Sequence, residues 1–457
     1  MADQDTLIIL EGKNMDILEE YENLVKRHLD APEVFIKASA YHLVSSLMGR
    51  FFRCPHIPGH PGLGCRPNTW FIISSIPGRT RRSTVANYAT SVYKRSLSTF
   101  FQETIPEWAN AHEANKKVLD SIIEEGTPEG ITDHINISEL DAYTIMSSEF
   151  GAVLTRINTK DSEVGVSSLL SKLYYGEGGS MMLSQRTKTG KEFGKRYIPE
   201  GLYVTMFAGM QEPHYYLSPI MIRQGLLRRI MLVYADPSDI ERWLPPIQTA
   251  RGSVYEELFT PVTHIVEKMK EYKDYSQENN PQYIDTSFHP SAERFINRYS
   301  KENDDKLKEE VNNFNIYMQG YWEHLTKISM LHAISRDAVR ELPGGMGTQL
   351  VVSKQDCEKA QEFLDRATKY SRDIISNLSR VDVPIQSAQA PLERVFSVIS
   401  EAGSTGIQRK DLYRKTNMTA RGLQEILNTL LLQERIQKDT LQSTGGRCPT
   451  IYKVRTD

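Results

Sequence analysis

Four short apolar runs, separated by stretches of helical character, constrain the fold of this chain more than any other feature. They are "TWFIISS" at 69–75, "AYTIMSS" at 142–148, "GLYVTMFAGM" at 201–210 and "RRIMLVY" at 228–234. Runs of this length, rich in β-branched and aromatic residues, read as buried strands. Strands that alternate with helices predict a mainly parallel α/β sheet between residues 66 and 240. Residues 1–65 form a helical N-terminal region, with two helices between about Leu18 and Phe52, and end in the Pro/Gly-rich loop "CPHIPGHPGLGCRPN". Residues 241–380 read as mostly helical, at 254–275 and 290–378. A linker-like "SRVDVPIQSAQAP" then leads to a compact last unit at 388–457.

Composition narrows the class. Of 457 residues, 39% are hydrophobic and 25% charged, as in a folded protein with room for two to four domains. The net charge of −3 means that any nucleic-acid surface is a local basic patch. There is no apolar run long enough to span a membrane, and the acidic start "MADQDTLIIL" lacks the basic end of a secretory signal. No membrane partner is expected. Four cysteines argue against a disulfide scaffold, so a cytoplasmic location is expected.

The chemistry concentrates in "SSIPGRTRRST" at 74–84, a turn between the first strand and a helix expected from Ser83 to about Phe101. A phosphate loop needs inward N–H groups, a cation that reaches the phosphates and a hydroxyl for Mg²⁺, in the pattern G-x-x-x-x-G-K-[ST]. Here Ile76 and Arg81 stand at the two glycine positions, Arg82 at the lysine and Ser83 at the hydroxyl. Pro77 and Gly78 still permit a tight turn, and Arg79, Thr80 and Thr84 complete the loop. The strand "AYTIMSS" ends in Ser148 and Glu149, where an acid pair would organise Mg²⁺ and polarise water. Gln211 ends the next strand as a candidate γ-phosphate sensor. Arg228 and Arg229 precede the fourth strand, where an arginine finger could reach a neighbouring subunit.

These pieces, in this order, resemble the RecA-superfamily ATPases of mobile elements grouped as the domain-of-unknown-function family 3987, relatives of replicative helicases. The resemblance is carried by "RPNTWFIISSIPGRTRRST", "GTPEGI" at 126–131 and "IMSSEFG". It continues through "LLSKLYYGEG" with "SQRTKTG", "LYVTMFAGMQEP", "GLLRRIMLV" and the helical "HLTKISMLHAIS", over residues 30 to 380. It implies a RecA-like ATP site with Mg²⁺, action on DNA, and a homo-oligomer, a hexameric ring being favoured. Two departures matter. Arg82 replaces the loop lysine, and a planar guanidinium is no isostere of an ammonium. Ser148 replaces the strand-end aspartate and removes a charge. Nucleotide binding is therefore expected more than efficient hydrolysis.

Two further regions carry motifs. Cys54, His56, His60 and Cys65 follow a C-x-H-x3-H-x4-C order, which zinc can use. The prolines and glycines explain the loop without metal, and no metal is the expectation. The last unit reads as helix, helix, turn, helix and a two-stranded wing, and resembles a winged helix-turn-helix. Its third helix would present Thr419, Arg421 and Gln424, with Arg447 and Lys453 on the wing, toward DNA. Such units also serve as protein-interaction modules. The sequence thus reads as a helicase-like, nucleotide-dependent DNA-binding ATPase. The alternative is a catalytically weak RecA-fold protein acting as an oligomeric binding module.

Overall fold

In a computed structural model, the described residues run from 16 to 454. They exclude 61–62, 77–79, 105–110, 125–127, 152, 155–162, 188–189, 214–215, 219–220, 223–224, 241–259, 279–282, 311, 342–347, 379–394, 404–405, 417–422, 424–426, 428–429, 432–434 and 441–449. The chain divides into two compact units, Met1–Ser379 and Arg380–Asp457. The boundaries expected at 66 and 241 fall inside the first.

The first unit opens with helices α1 (Ile17–His28) and α2 (Glu33–Leu47) and strands β1 (Phe52–Arg53) and β2 (Trp70–Ser74). Next come α3 (Arg82–Thr104), α4 (Ala111–Asp120), β3 (Ile122–Ile123), α5 (Pro128–Ser138) and β4 (Ala142–Ser147). After α6 (Glu163–Tyr175), the strands β5 (Gly179–Thr187) and β6 (Gly190–Ile198) pair antiparallel, and β7 (Tyr203–Met210) and β8 (Met231–Tyr234) follow. Strands β3, β4, β7, β2 and β8 lie side by side in that order, all parallel. Every residue of β2 and β7 is buried, because helices cover a crossover-connected sheet on both faces. Helix α2 packs on β2, β4, β7 and β8, whereas α3 and α6 pack on β7.

The expected α/β sheet and its four main strands are present. The rest of the unit holds more strand than anticipated. It continues through α7 (Thr260–Glu278), β9 (Ile284–Phe288), α8 (Pro290–Glu309), α9 (Asn313–Met318), α10 (Tyr321–Ser335), β10 (Val339–Glu341), β11 (Thr348–Val352) and α11 (Lys354–Asn377). Strands β1, β9, β11 and β10 build a second sheet whose central strands alternate buried and half-exposed residues. Helix α10 is buried along nearly its whole length, charged residues included. Lys327 is only 1% exposed. Its Nζ lies 2.9 Å from Glu323, 2.9 Å from Asn68 Oδ1 and 3.8 Å from the centre of the Tyr174 ring. A buried ammonium persists only with such full pairing.

The second unit contains β12 (Ile407–Gln408), α12 (Arg409–Thr416), β13 (Ile436–Thr440) and β14 (Thr450–Val454). The strands form an antiparallel sheet in the order β12, β14, β13. Its core gathers Val395, Ile399, Leu412, Leu423, Leu427, Leu430 and Tyr452. Leu423, Leu427 and Leu430 keep the spacing of one helical face.

Candidate functional site

The apolar strand β2 delivers its end to the carboxyl edge of the parallel sheet, where open α/β sheets place ligands. Ser74 Oγ donates to the carbonyl of Gln211 at 3.0 Å and ties the end of β2 to that of β7. Ser75 and Thr80 are both buried, 2% and 1% exposed, and the Thr80 hydroxyl donates to Ser75 Oγ. Pro77, Gly78 and Arg79 lie outside the described residues.

Arg81 takes a left-handed backbone, with φ of 51°, at the position where the phosphate-loop pattern has its second glycine. A side chain in that conformation costs about 1 kcal/mol relative to glycine. Arg81 thus keeps a glycine-like backbone without the glycine. Arg81 Nε bonds Asp30 Oδ1 at 3.1 Å, and Asp30 is buried with Oδ2 lacking a partner among the described residues. Sequence reading missed Asp30 because it lies 51 residues away between two helices.

Arg82 begins α3 and is 8% exposed. Its Nη2 donates to Glu149 Oε1 at 3.1 Å, while Nη1 is buried without a partner among the described residues. Burial pulls the Arg82 pKa down, and the Glu149 carboxylate opposes that shift. The first turn of α3 carries no acidic residue to meet the positive end of the helix dipole. Ser83 and Thr84 are exposed on that turn, and Ser148 is exposed beside Glu149. Helix end and guanidinium are groups that suit an anion, and the anion they meet among the described residues is Glu149.

Gly209, one residue before the end of β7, makes this convergence possible. A methyl group there would meet the Ser148 carbonyl oxygen at 2.7 Å and Arg82 Nε at 3.4 Å. The Gly209 carbonyl also accepts the Phe150 N–H at 2.8 Å. Gln211 follows, half-buried, between the Arg82 loop and the Glu149 strand end. The donors present suit a phosphate. For Mg²⁺ the fit is poor, since the Glu149 carboxylate is committed to Arg82 and Ser148 brings no charge.

Other candidates stand elsewhere. Arg228 and Arg229 precede β8 at the amino edge of the sheet, opposite the loop. Arg228 Nη1 lies 3.4 Å from Gln319 Oε1. Arg229 Nη1 donates to the Gly225 carbonyl at 2.6 Å and its guanidinium stacks 4.8 Å from the centre of Tyr175. One chain does not bring them to the loop. Cys54 and Cys65 pair through their backbones at 2.8 and 2.9 Å, and the Cys54 thiol donates to the His56 carbonyl. His60 stacks on Trp322 with centroids 3.9 Å apart and lies 3.4 Å from Ser300 Oγ. His56 is exposed. In the second unit, Lys453 pairs with Asp439 at 3.1 Å, and Thr419, Arg421, Gln424 and Arg447 fall outside the described residues. Among the described residues, no helix is long and apolar enough to cross a membrane. No family model matches this chain, and no curated protein is significantly similar to it.

Proposed function

We propose that this protein is a nucleotide-dependent DNA-binding protein of the helicase-like, RecA type, whose degenerate site binds ATP more readily than it hydrolyses it. The observation that carries the reading is Arg82, buried at the start of α3, bonded to Glu149 and with an Nη1 donor that has no partner among the described residues. An incoming phosphate would satisfy Nη1 and compete with Glu149 for Nη2. Glu149 released in this way becomes free to accept a proton from water, which is the role its place at the end of β4 suggests. Phosphate binding and arming of the base would then be one event. Weak hydrolysis follows from the neutral Ser148 and from the cost of breaking the ion pair.

The DNA part of the reading rests on the second unit. Helix α12 carries Lys410, Arg414 and Lys415 as exposed cations beside a small antiparallel sheet, in a chain whose net charge is negative. A ring of subunits, with Arg228 or Arg229 completing a neighbour's site, belongs to the same proposal. Isothermal titration with ATP, paired with phosphate release in the presence and absence of single- and double-stranded DNA, tests it. Binding that DNA strengthens, with slow turnover, is expected. No binding at millimolar ATP removes the nucleotide reading. A strict monomer by light scattering, with nucleotide and DNA present, removes the ring and leaves the binding-module alternative.

A further inference from the structure

A cleft of about 990 Å³ lies at the amino edge of the five-stranded sheet, opposite the loop after β2. Its lining includes Ser121 before β3, Asp141 before β4 and Gly201 before β7. Four cations line it: Arg50, Arg66, Lys117 and Lys273. The Arg50 guanidinium stands 4.9 Å from the centre of Phe51 and 5.5 Å from that of Phe100, and Lys273 Nζ stands 5.8 Å from the same Phe100 ring. Arg66 is held between Tyr203 and Tyr283, at 4.6 and 4.9 Å, and donates to the carbonyls of Gly201 and Arg50 at 2.7 and 3.1 Å.

Among the described residues, no close carboxylate meets the two guanidinium groups. Aromatic faces attract and orient a cation but offer no lone pair to its N–H groups. The Nε atoms of Arg50 and Arg66 are both buried with no partner among the described residues. Arg50, whose side chain is 15% exposed, has Asp141 at 3.9 Å, beyond hydrogen-bond reach, and that carboxylate is 88% exposed. Glu113 and Glu139 also line the cleft and are exposed. Burial and the neighbouring Arg50 charge depress the Arg66 pKa, against the pull of the two tyrosines and Asp141. The acids sit in water, and the guanidinium groups sit inside.

We propose that this cleft is a second ligand site, independent of the loop after β2, for a phosphate monoester carried on a planar organic body. A phosphate dianion matches a guanidinium fork and balances more than one cation, which a single carboxylate does not. The volume far exceeds a lone phosphate and falls within the roughly 300–1,000 Å³ of small-molecule sites. Tyr93, Leu97 and Phe101 provide an apolar wall for the organic part. Free nucleoside monophosphates carry this chemistry, as does the 5′-phosphorylated end of a nucleic-acid strand.

The full-length chain is titrated with adenosine monophosphate by calorimetry, and with a short single strand bearing a 5′-phosphate or a 5′-hydroxyl by fluorescence anisotropy. Binding that requires the phosphate is expected. Each of Arg50→Gln and Lys273→Gln should weaken it about tenfold, the loss of one charge-assisted contact. Arg82→Ala should leave it unchanged, which separates this cleft from the loop. Lys273 is half-buried, so Lys273→Gln carries the test if Arg50→Gln fails to fold by circular dichroism. Binding of the free monophosphate supports a metabolite as the source, and preference for the phosphorylated strand end supports nucleic acid. Binding of neither at millimolar concentration, or binding indifferent to Lys273→Gln, overturns the proposal.

Discussion

Arg82 and Glu149 hold the candidate site in a self-satisfied state, so substitutions at the two residues should not behave as a simple loss of catalysis. Glu149→Gln removes the charge that competes with phosphate for Nη2. Because Glu149 is half-exposed, their attraction is modest, and ATP affinity should rise by up to about fivefold while turnover is lost. Calorimetry beside a phosphate-release assay reads both effects. Weaker binding in this variant would show that Glu149 is not a competitor. Asp30 acts on the loop from behind, since it holds Arg81 Nε at 3.1 Å. Asp30→Asn should free Arg81 toward the loop and tighten ATP binding severalfold, at some cost in stability because the aspartate is buried. A thermal melt run alongside the titration separates the two. Unchanged affinity would confine Arg81 to a structural role.

At the scale of elements, the site depends on how closely β4 and β7 approach at their ends. Gly209→Ala would place a methyl 2.7 Å from the Ser148 carbonyl, a contact with backbone that cannot rotate away. Overpacking of this kind costs about 1–3 kcal/mol, and the shift should also part Arg82 from Glu149. Chemical denaturation and ATP titration of the variant measure the two consequences. A fully stable Gly209→Ala protein with normal affinity would contradict the tight approach. The strands that position this site were legible because β2, β4 and β7 are buried on both faces and therefore read as unbroken apolar runs. Strands β9 and β11 alternate over only five residues each among long helices, and their period-2 signal was lost there. In the β5–β6 hairpin, "GSMMLSQRT" and "GKEFGKRYI" are too polar and glycine-rich to read as a strand pair. The loop cations were visible as a run of arginines. Asp30, which pairs with Arg81, and Gly209, which lets Arg82 approach, were not, because only the fold brings them to the loop.

At the scale of the whole molecule, three buried histidines oppose folding as the pH falls. Burial lowers His42 and His332 to about 3 and His324 to about 4, from an ordinary 6.5. Each has a buried Nδ1 without a partner among the described residues, so an added proton would meet no acceptor. His324 Nε2 donates to the Arg228 carbonyl, which fixes the proton there and leaves Nδ1 bare. These folded-state values lie below the unfolded one, so the stability they confer is complete above about pH 6.5 and is lost as pH falls toward 3–4. Glu22 acts in the opposite direction. Burial raises its carboxyl to about 7, against the pull of Lys37 and Lys26, so its contribution grows as pH falls from 7 to 4.5. Three protons favouring the unfolded state against one favouring the folded leave a net of about two between pH 6 and 5. That slope is about 2–3 kcal/mol per pH unit, enough to exhaust an ordinary stability margin of about 5–15 kcal/mol within a few units. All 11 histidines precede residue 380, and the second unit contains none. Hydrogen exchange followed from pH 7 to pH 4.5 should therefore show the first unit losing protection while β13 and β14 keep theirs. Replacing His332 by Gln, which keeps a polar group within reach of the Tyr41 hydroxyl now 2.9 Å from Nε2, should move the midpoint of the acid transition to lower pH. A midpoint that stays in place, or simultaneous loss of protection in both units, would mean that carboxylates rather than these histidines govern acid unfolding.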